Sequence, residues 1–220
     1  MTKKSIEDYS CDILQLTVDI SLLPEYHPAV EKLQRQLSNR LSSWQALLDI
    51  TYFIASNEQL QWGLAGCNTH PMPLKSASGY PQVGDYQAYI NDYNMFVPLL
   101  IERKTMVDAY GTLMNRDGRE RFYRECARFE ADPRFSQMVI IAECSMHDFL
   151  TYNPKFNGKN YNKHHTGAST ESRRATIAGL YARAVPVLWA GSLAEAQKVY
   201  LQLVRQSCIK NYKQILKIEA

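Results

Sequence analysis

Between residues 12 and 20 the chain alternates, with Leu14, Leu16, Val18 and Ile20 on one side of a period of two, and this predicts a β-strand. The rhythm then changes. Val30, Leu33, Leu37, Leu41, Trp44 and Leu48 recur every three or four residues between Pro28 and Asp49, the stripe of an amphipathic helix. Residues 50–55 form a short apolar run of strand length. Glycines and prolines interrupt 63–81, which is expected to be mostly loop, with room for a short strand over 74–77. Strands are expected over 85–90 and 96–103, turned by Asn91-Asp92-Tyr93-Asn94.

Thr105-Met106-Val107-Asp108 has the form of a capping box opening a helix, and a second helix is expected over 116–130. That second helix turns Phe122, Cys126 and Phe129 inward and lines another face with Arg121, Arg124 and Arg128. Downstream, 138–143 reads as a buried strand, 153–169 as a polar loop, 170–184 as a helix and 185–190 as a strand. Ser192-Leu193-Ala194-Glu195 then caps a last helix that runs to about residue 209. Strands alternating with helices make an α/β domain, a mixed central sheet flanked by helices. Residues 1–49 are expected to be a strand–helix extension and 50–220 the main domain.

The 220 residues suffice for one such domain with its own core. The longest apolar runs are about six residues, far below the ~18 of a membrane span, so no membrane association is expected. The opening Met-Thr-Lys-Lys-Ser-Ile-Glu-Asp has no apolar signal core. Five scattered cysteines without a Cys-x-x-Cys pair argue against zinc and against a disulfide framework, which makes a reducing cytoplasm the expected location.

The residues with chemistry to offer are Gly84-Asp85-Tyr86, Glu102-Arg103-Lys104 and Asp108. Glu102 and Lys104 are two apart, so on a strand they share a face while Arg103 takes the other. Carboxylates at Asp85 and Glu102 are hard oxygen ligands suited to Mg²⁺ or Mn²⁺, and a lysine beside them can orient water and stabilise charge growing on a phosphate. Each has a plainer reading. Asp85 after glycine suits a turn, Glu102 with Lys104 suits an edge-strand ion pair, and Asp108 is explained by capping with Thr105. The apolar run before Glu102 favours a central strand, where charges need a purpose.

Gly-Asp-Tyr followed by Glu-Arg-Lys-x-x-x-Asp resembles the nuclease domain of XPF-type structure-specific endonucleases, a branch of the PD-(D/E)xK, restriction-endonuclease-like fold. Met138 to Glu143 is similar to that family's next strand, and Val185 to Trp189 with Ser192 to Ala196 to its last strand and helix. Residues 53–62 are similar to its first motif, a strand running into Asp-x-Arg-Glu. Here Glu58 matches the glutamate, but Ala55 stands in place of the aspartate and Asn57 in place of the arginine. No tandem helix-hairpin-helix pattern follows.

The resemblance implies a divalent-metal-dependent DNA endonuclease with Asp85 and Glu102 on the metal, Lys104 catalytic and Asp108 adjoining. It also implies a preference for branched or flapped DNA and a homodimer formed through the nuclease domain. Glu58, Arg103 and Glu143 are expected in support. The alternatives are an inactive nuclease-like subunit that binds DNA or protein, and a restriction-type or RNA-directed nuclease on the same fold.

Net charge is only +3, but residues 155–183 carry six Lys/Arg against the single acid Glu171. Lys159, Lys163, His164, Arg173 and Arg174 are therefore expected to contact DNA phosphates, the plain alternative being a solvated loop. His164-His165 has no second ligand pair at a spacing that suits zinc.

Overall fold

A computed structural model describes residues 4–25, 27–56, 61–72, 83–153, 155–156, 159–160 and 168–218. Its centre is a mixed sheet in the order β2 (Asn68–Pro71), β1 (Ile50–Ile54), β3 (Tyr86–Ile90), β5 (Leu99–Lys104), β6 (Gln137–Ala142) and β9 (Val187–Trp189), with β4 (Met95–Phe96) paired to β3. β5, β6 and β9 run parallel, while β3 is antiparallel to both β1 and β5.

Alternate residues of β5 and β6 feed two separate cores. Leu99, Ile101, Val139 and Ile141 pack on one face with α1 (Ile6–Ser21), α2 (Val30–Gln45), α7 (Leu193–Lys210) and α8 (Tyr212–Ile215). Leu100, Met138, Ile140 and Ala142 pack on the other with α3 (Met106–Met114), α4 (Arg116–Glu130), α5 (Met146–Thr151) and α6 (Thr170–Ala182). Helices on both faces explain why these central strands read as continuous apolar runs. The α/β architecture with a mixed central sheet and flanking helices is therefore as expected.

The N-terminal segment is a correction: residues 12–20 are helical, within α1, not a strand. Ser5 caps the helix in a reciprocal box with Asp8. The inward stripe is Ile6, Tyr9, Ser10, Ile13 and Thr17. Two of its members are polar, their hydroxyls meeting those of Tyr93 (2.9 Å) and Tyr212 (3.3 Å). Two hydroxyls in the stripe hide its helical period, while Leu14 and Val18, half of the alternating set, are exposed. The helix expected from the second stripe is α2, which buries Leu41 and Trp44; the Trp44 indole donates to Tyr93 Oη at 3.1 Å.

Other differences are smaller. The edge strand of the described sheet is β2; the possible short strand at 74–77 lies outside the described residues. The short helix α5, capped by Ser145 and Asp148, was not anticipated, and the loop before α6 contains a hairpin of β7 (Lys155–Phe156) and β8 (Lys159–Asn160). Among the described residues no helix is long and apolar enough to cross a membrane.

Candidate active site

Asp85 sits at the entry to β3, and the backbone fixes it from three sides. Gly84 adopts φ +67°, turning the chain into the strand. The Asp85 N–H donates to Ile101 O (2.9 Å), and Asp85 O accepts from Ala55 N–H (2.8 Å). Gln87 Nε2 donates to Val83 O (2.8 Å) and closes the turn. The carboxylate is reached in turn: Oδ2 accepts from the Arg103 backbone N–H at 2.8 Å.

The glycine is also a packing requirement, because a Cβ there would lie 2.7 Å from two Leu100 side-chain carbons and 3.0 Å from Ile101 O. Gly84→Ala is expected to cost ~1–3 kcal/mol and to displace Asp85, lowering any activity that depends on it. Urea denaturation measures the stability part, and an unaltered midpoint would contradict this account of the turn.

Glu102 and Lys104 share the β5 face that looks toward α3 and α4, where the Lys104 ammonium donates to Glu102 Oε1. Glu102 is only 4 % exposed, and its second oxygen, Oε2, is buried without a hydrogen-bond partner among the described residues. Burial pushes the Glu102 carboxyl up to about 8; Lys104 pulls it down, while Asp85 and Glu125 add to the rise. Burial by itself would lower the Lys104 ammonium, yet Glu102 and Asp85 together hold it above the ordinary lysine value. A buried acid held well above the ordinary carboxylate range beside a buried lysine is an unusual pair for a central strand, and such groups concentrate at functional sites.

The opposite face of β5 carries a supporting network. Arg103 Nε and Nη2 donate to the two oxygens of Glu143 at 2.6 and 3.0 Å, and the Trp62 indole donates to Glu143 Oε1 at 2.7 Å. The Trp62 backbone N–H donates to Tyr86 Oη (2.8 Å), and the two rings stack at 4.3 Å. The side chain of Arg103 thus anchors the segment whose backbone N–H holds Asp85. Trp62 escaped notice as a site residue because its partner lies 81 positions away, beyond any local pattern.

Asp108 lies in the first turn of α3, accepts from the Thr105 hydroxyl (2.7 Å) and lines the cleft between α3 and α4. Ala55 faces the same way as Asp85, because Ile54 pairs with Tyr86 and both of those fill the opposite core. It is fully buried and brings no carboxylate. Among the described residues no three His, Cys, Asp or Glu side chains gather as a metal-binding group.

Arg173 requires correction. Its guanidinium is turned inward, donating to the carbonyls of Ala168 (2.9 Å), Phe149 and Leu150 (both 2.8 Å) and lying 5.0 Å above the Tyr110 ring. It ties α6 to the end of α5 and is not presented to a phosphate. Arg174 is exposed, with Glu171 at 3.9 Å. Lys159 falls in β8, whereas Glu58, Lys163, His164 and His165 lie outside the described residues.

A comparison of folds finds XPF from Aeropyrum pernix at a TM-score of 0.45 and 15 % identity, over 74 % of this chain and 67 % of that one. At that score the likeness carries no functional weight. No curated protein is significantly similar in sequence. The family model described as the ERCC4 domain matches residues 70–203, which contain Asp85, Glu102, Lys104, Asp108 and Glu143. The chain belongs to the ERCC4 domain family, a family of DNA-processing nucleases that includes inactive members.

Proposed function

We propose that the protein is a divalent-metal-dependent DNA endonuclease acting through Asp85, Glu102 and Lys104. The observation that carries this reading is the buried Oε2 of Glu102, an oxygen with no hydrogen-bond partner among the described residues, on the strand next to Asp85. An oxygen so placed suits a cation, and the donor set of two carboxylates suits a hard one, Mg²⁺ or Mn²⁺. Asp85 and Glu102 would hold it; when bound, it would supply a Lewis acid for the phosphoryl oxygen.

The chain's own groups supply the rest. Arg103 N–H keeps the Asp85 carboxylate aimed, and Glu102 Oε1 keeps the Lys104 ammonium on the same face. From there Lys104 would orient the attacking water and stabilise charge on the phosphate as the bond breaks. Asp108, at the start of the helix that follows Lys104, would be a further acid, while Glu58 remains a peripheral candidate. A preference for branched or flapped DNA, and a homodimer, belong to the same proposal. The test is a cleavage panel of single-stranded, duplex, flap, fork and junction DNA, and RNA, with Mg²⁺, Mn²⁺ or EDTA. Absence of cutting on every substrate with either metal would reject the enzyme reading.

The buried alanine at position 55 favours a second reading, an inactive nuclease-like subunit that binds DNA or a partner. Ala55→Asp separates the two. In metal-free protein a carboxylate buried across from Asp85 is expected to cost about 3 kcal/mol. If Asp85 and Glu102 still hold metal, Mn²⁺ should recover that loss and raise the melting temperature with increasing concentration. Destabilisation that Mn²⁺ leaves untouched would point to a site that has lost its metal.

A further inference from the structure

We propose that the cleft between α3 and α4 is the path of the substrate's phosphodiester backbone, with Arg121 and Arg124 as its phosphate contacts. This rests on the nuclease reading above and adds a location that the basic stretch at 155–183 does not supply. The cleft is an open trough of about 820 Å³, lined by Val107, Asp108, Gly111 and Thr112 from α3 and by Gly118, Arg121 and Arg124, among others, from α4.

Its floor exists because the two helices meet backbone to backbone. A Cβ on Gly118 would lie 2.2 Å from Gly111 O, so only glycine permits this approach. Gly111 itself has nothing within 4 Å of where its Cβ would stand, which leaves that side of the trough open.

The charges along the trough are unequal in kind. Arg116, which also lines the trough, and Arg128 further along α4 each have a carboxylate partner, Glu120 at 3.0 Å and Glu125 at 3.8 Å. Arg121 and Arg124 have none within 4 Å among the described residues, and both are exposed. They stand three positions apart on a helix, one turn above the other on a single face, as two cations reaching toward successive phosphates must.

The acids of the trough, Asp108 and Asp117, lie in the first turns of their helices, where they favour the helix dipole. They leave the Arg121–Arg124 end as the positive one. Val107 is 64 % exposed on the facing wall, an apolar surface against which a deoxyribose can rest.

The trough also points at the chemistry. Its α3 wall follows Lys104 after the single capping residue Thr105, and α3 and α4 both pack on the β5 face that carries Glu102 and Lys104. Arg173, by contrast, is spent on three carbonyls, and that removes one of the two arginines expected to form the DNA contact of α6.

The test is DNA binding by the full chain as a function of salt, in EDTA so that nothing is cut, for wild type, Arg121→Ala/Arg124→Ala and Arg121→Lys/Arg124→Lys. The alanine pair is expected to weaken binding of all sequences alike and to flatten the log-log salt slope by up to about 2, while the lysine pair keeps the wild-type slope. The same alanine pair should raise KM and leave kcat near the wild-type value, because neither side chain touches the reacting atoms. A control Arg35→Ala on α2 should leave the slope unchanged. A full wild-type slope in the alanine pair overturns the path but not the nuclease reading. Wild-type protein that neither binds nor cleaves any DNA overturns both.

Discussion

Glu102→Gln is expected to lower cleavage in saturating Mg²⁺ by about 10³-fold or more, since the loss of one cation ligand removes several kcal/mol of transition-state stabilisation. The fold should survive, and the pH dependence of stability should reveal why. Glu102 is buried, and its carboxyl is pushed up to about 8 from an ordinary value near 4.5. A folded-state value above the unfolded one makes the folded protein the better proton binder. The contribution is fully present below about pH 4.5 and is lost as pH rises through about 8. Metal-free wild type should therefore lose melting temperature across that window. Glu102→Gln, which cannot ionise, should lose less. Differential scanning fluorimetry at closely spaced pH values in EDTA measures this. Wild-type cleavage by the glutamine variant would refute the assignment, whatever the melting curves show.

Arg103→Ala should destabilise the protein by ~3–5 kcal/mol, the largest stability effect expected of any site-region substitution, because it strands the Glu143 carboxylate in a nearly closed environment. The two side chains are 4 % and 10 % exposed, so water offers little relief. Replacing both, as in Arg103→Met/Glu143→Leu, should restore most of the stability. Paired burial of charge gains little over apolar packing, and what remains is the loss of an acceptor for the Trp62 indole, ~1 kcal/mol. Activity should not return in step, because Arg103 also fixes the segment whose N–H holds Asp85. Chemical denaturation of the two single variants and the double variant gives the coupling energy. A cost below ~1 kcal/mol for Arg103→Ala would mean that this ion pair is not what anchors the strand.

Much of this was legible in the linear chain. Apolar run length separated central strands from helices at 138–143 and 96–103, and the Thr105 and Ser192 caps marked where helices begin. The Glu102–Lys104 spacing put both on one face as soon as that segment was a strand, since side chains alternate. The misreading of residues 12–20 has an equally physical cause. Alternation and helical stripe overlap there, and the deciding partners of Ser10 and Thr17 are tyrosines 83 and 195 positions away.

By itself the sequence determined the local periods, the turns that need glycine, and which residue types stand close enough along the chain to share a face. The tertiary structure decided what no local spacing contains. It set Ala55 across from Asp85, sent Arg103 to Glu143 and Trp62 on the far side of the sheet, and left one oxygen of Glu102 buried without a partner among the described residues. It also turned Arg173 inward while its neighbour Arg174 stayed in solvent. Adjacent arginines are equivalent in charge along a chain, and only the packing of α6 against α5 determines which of them faces carbonyls and which faces water.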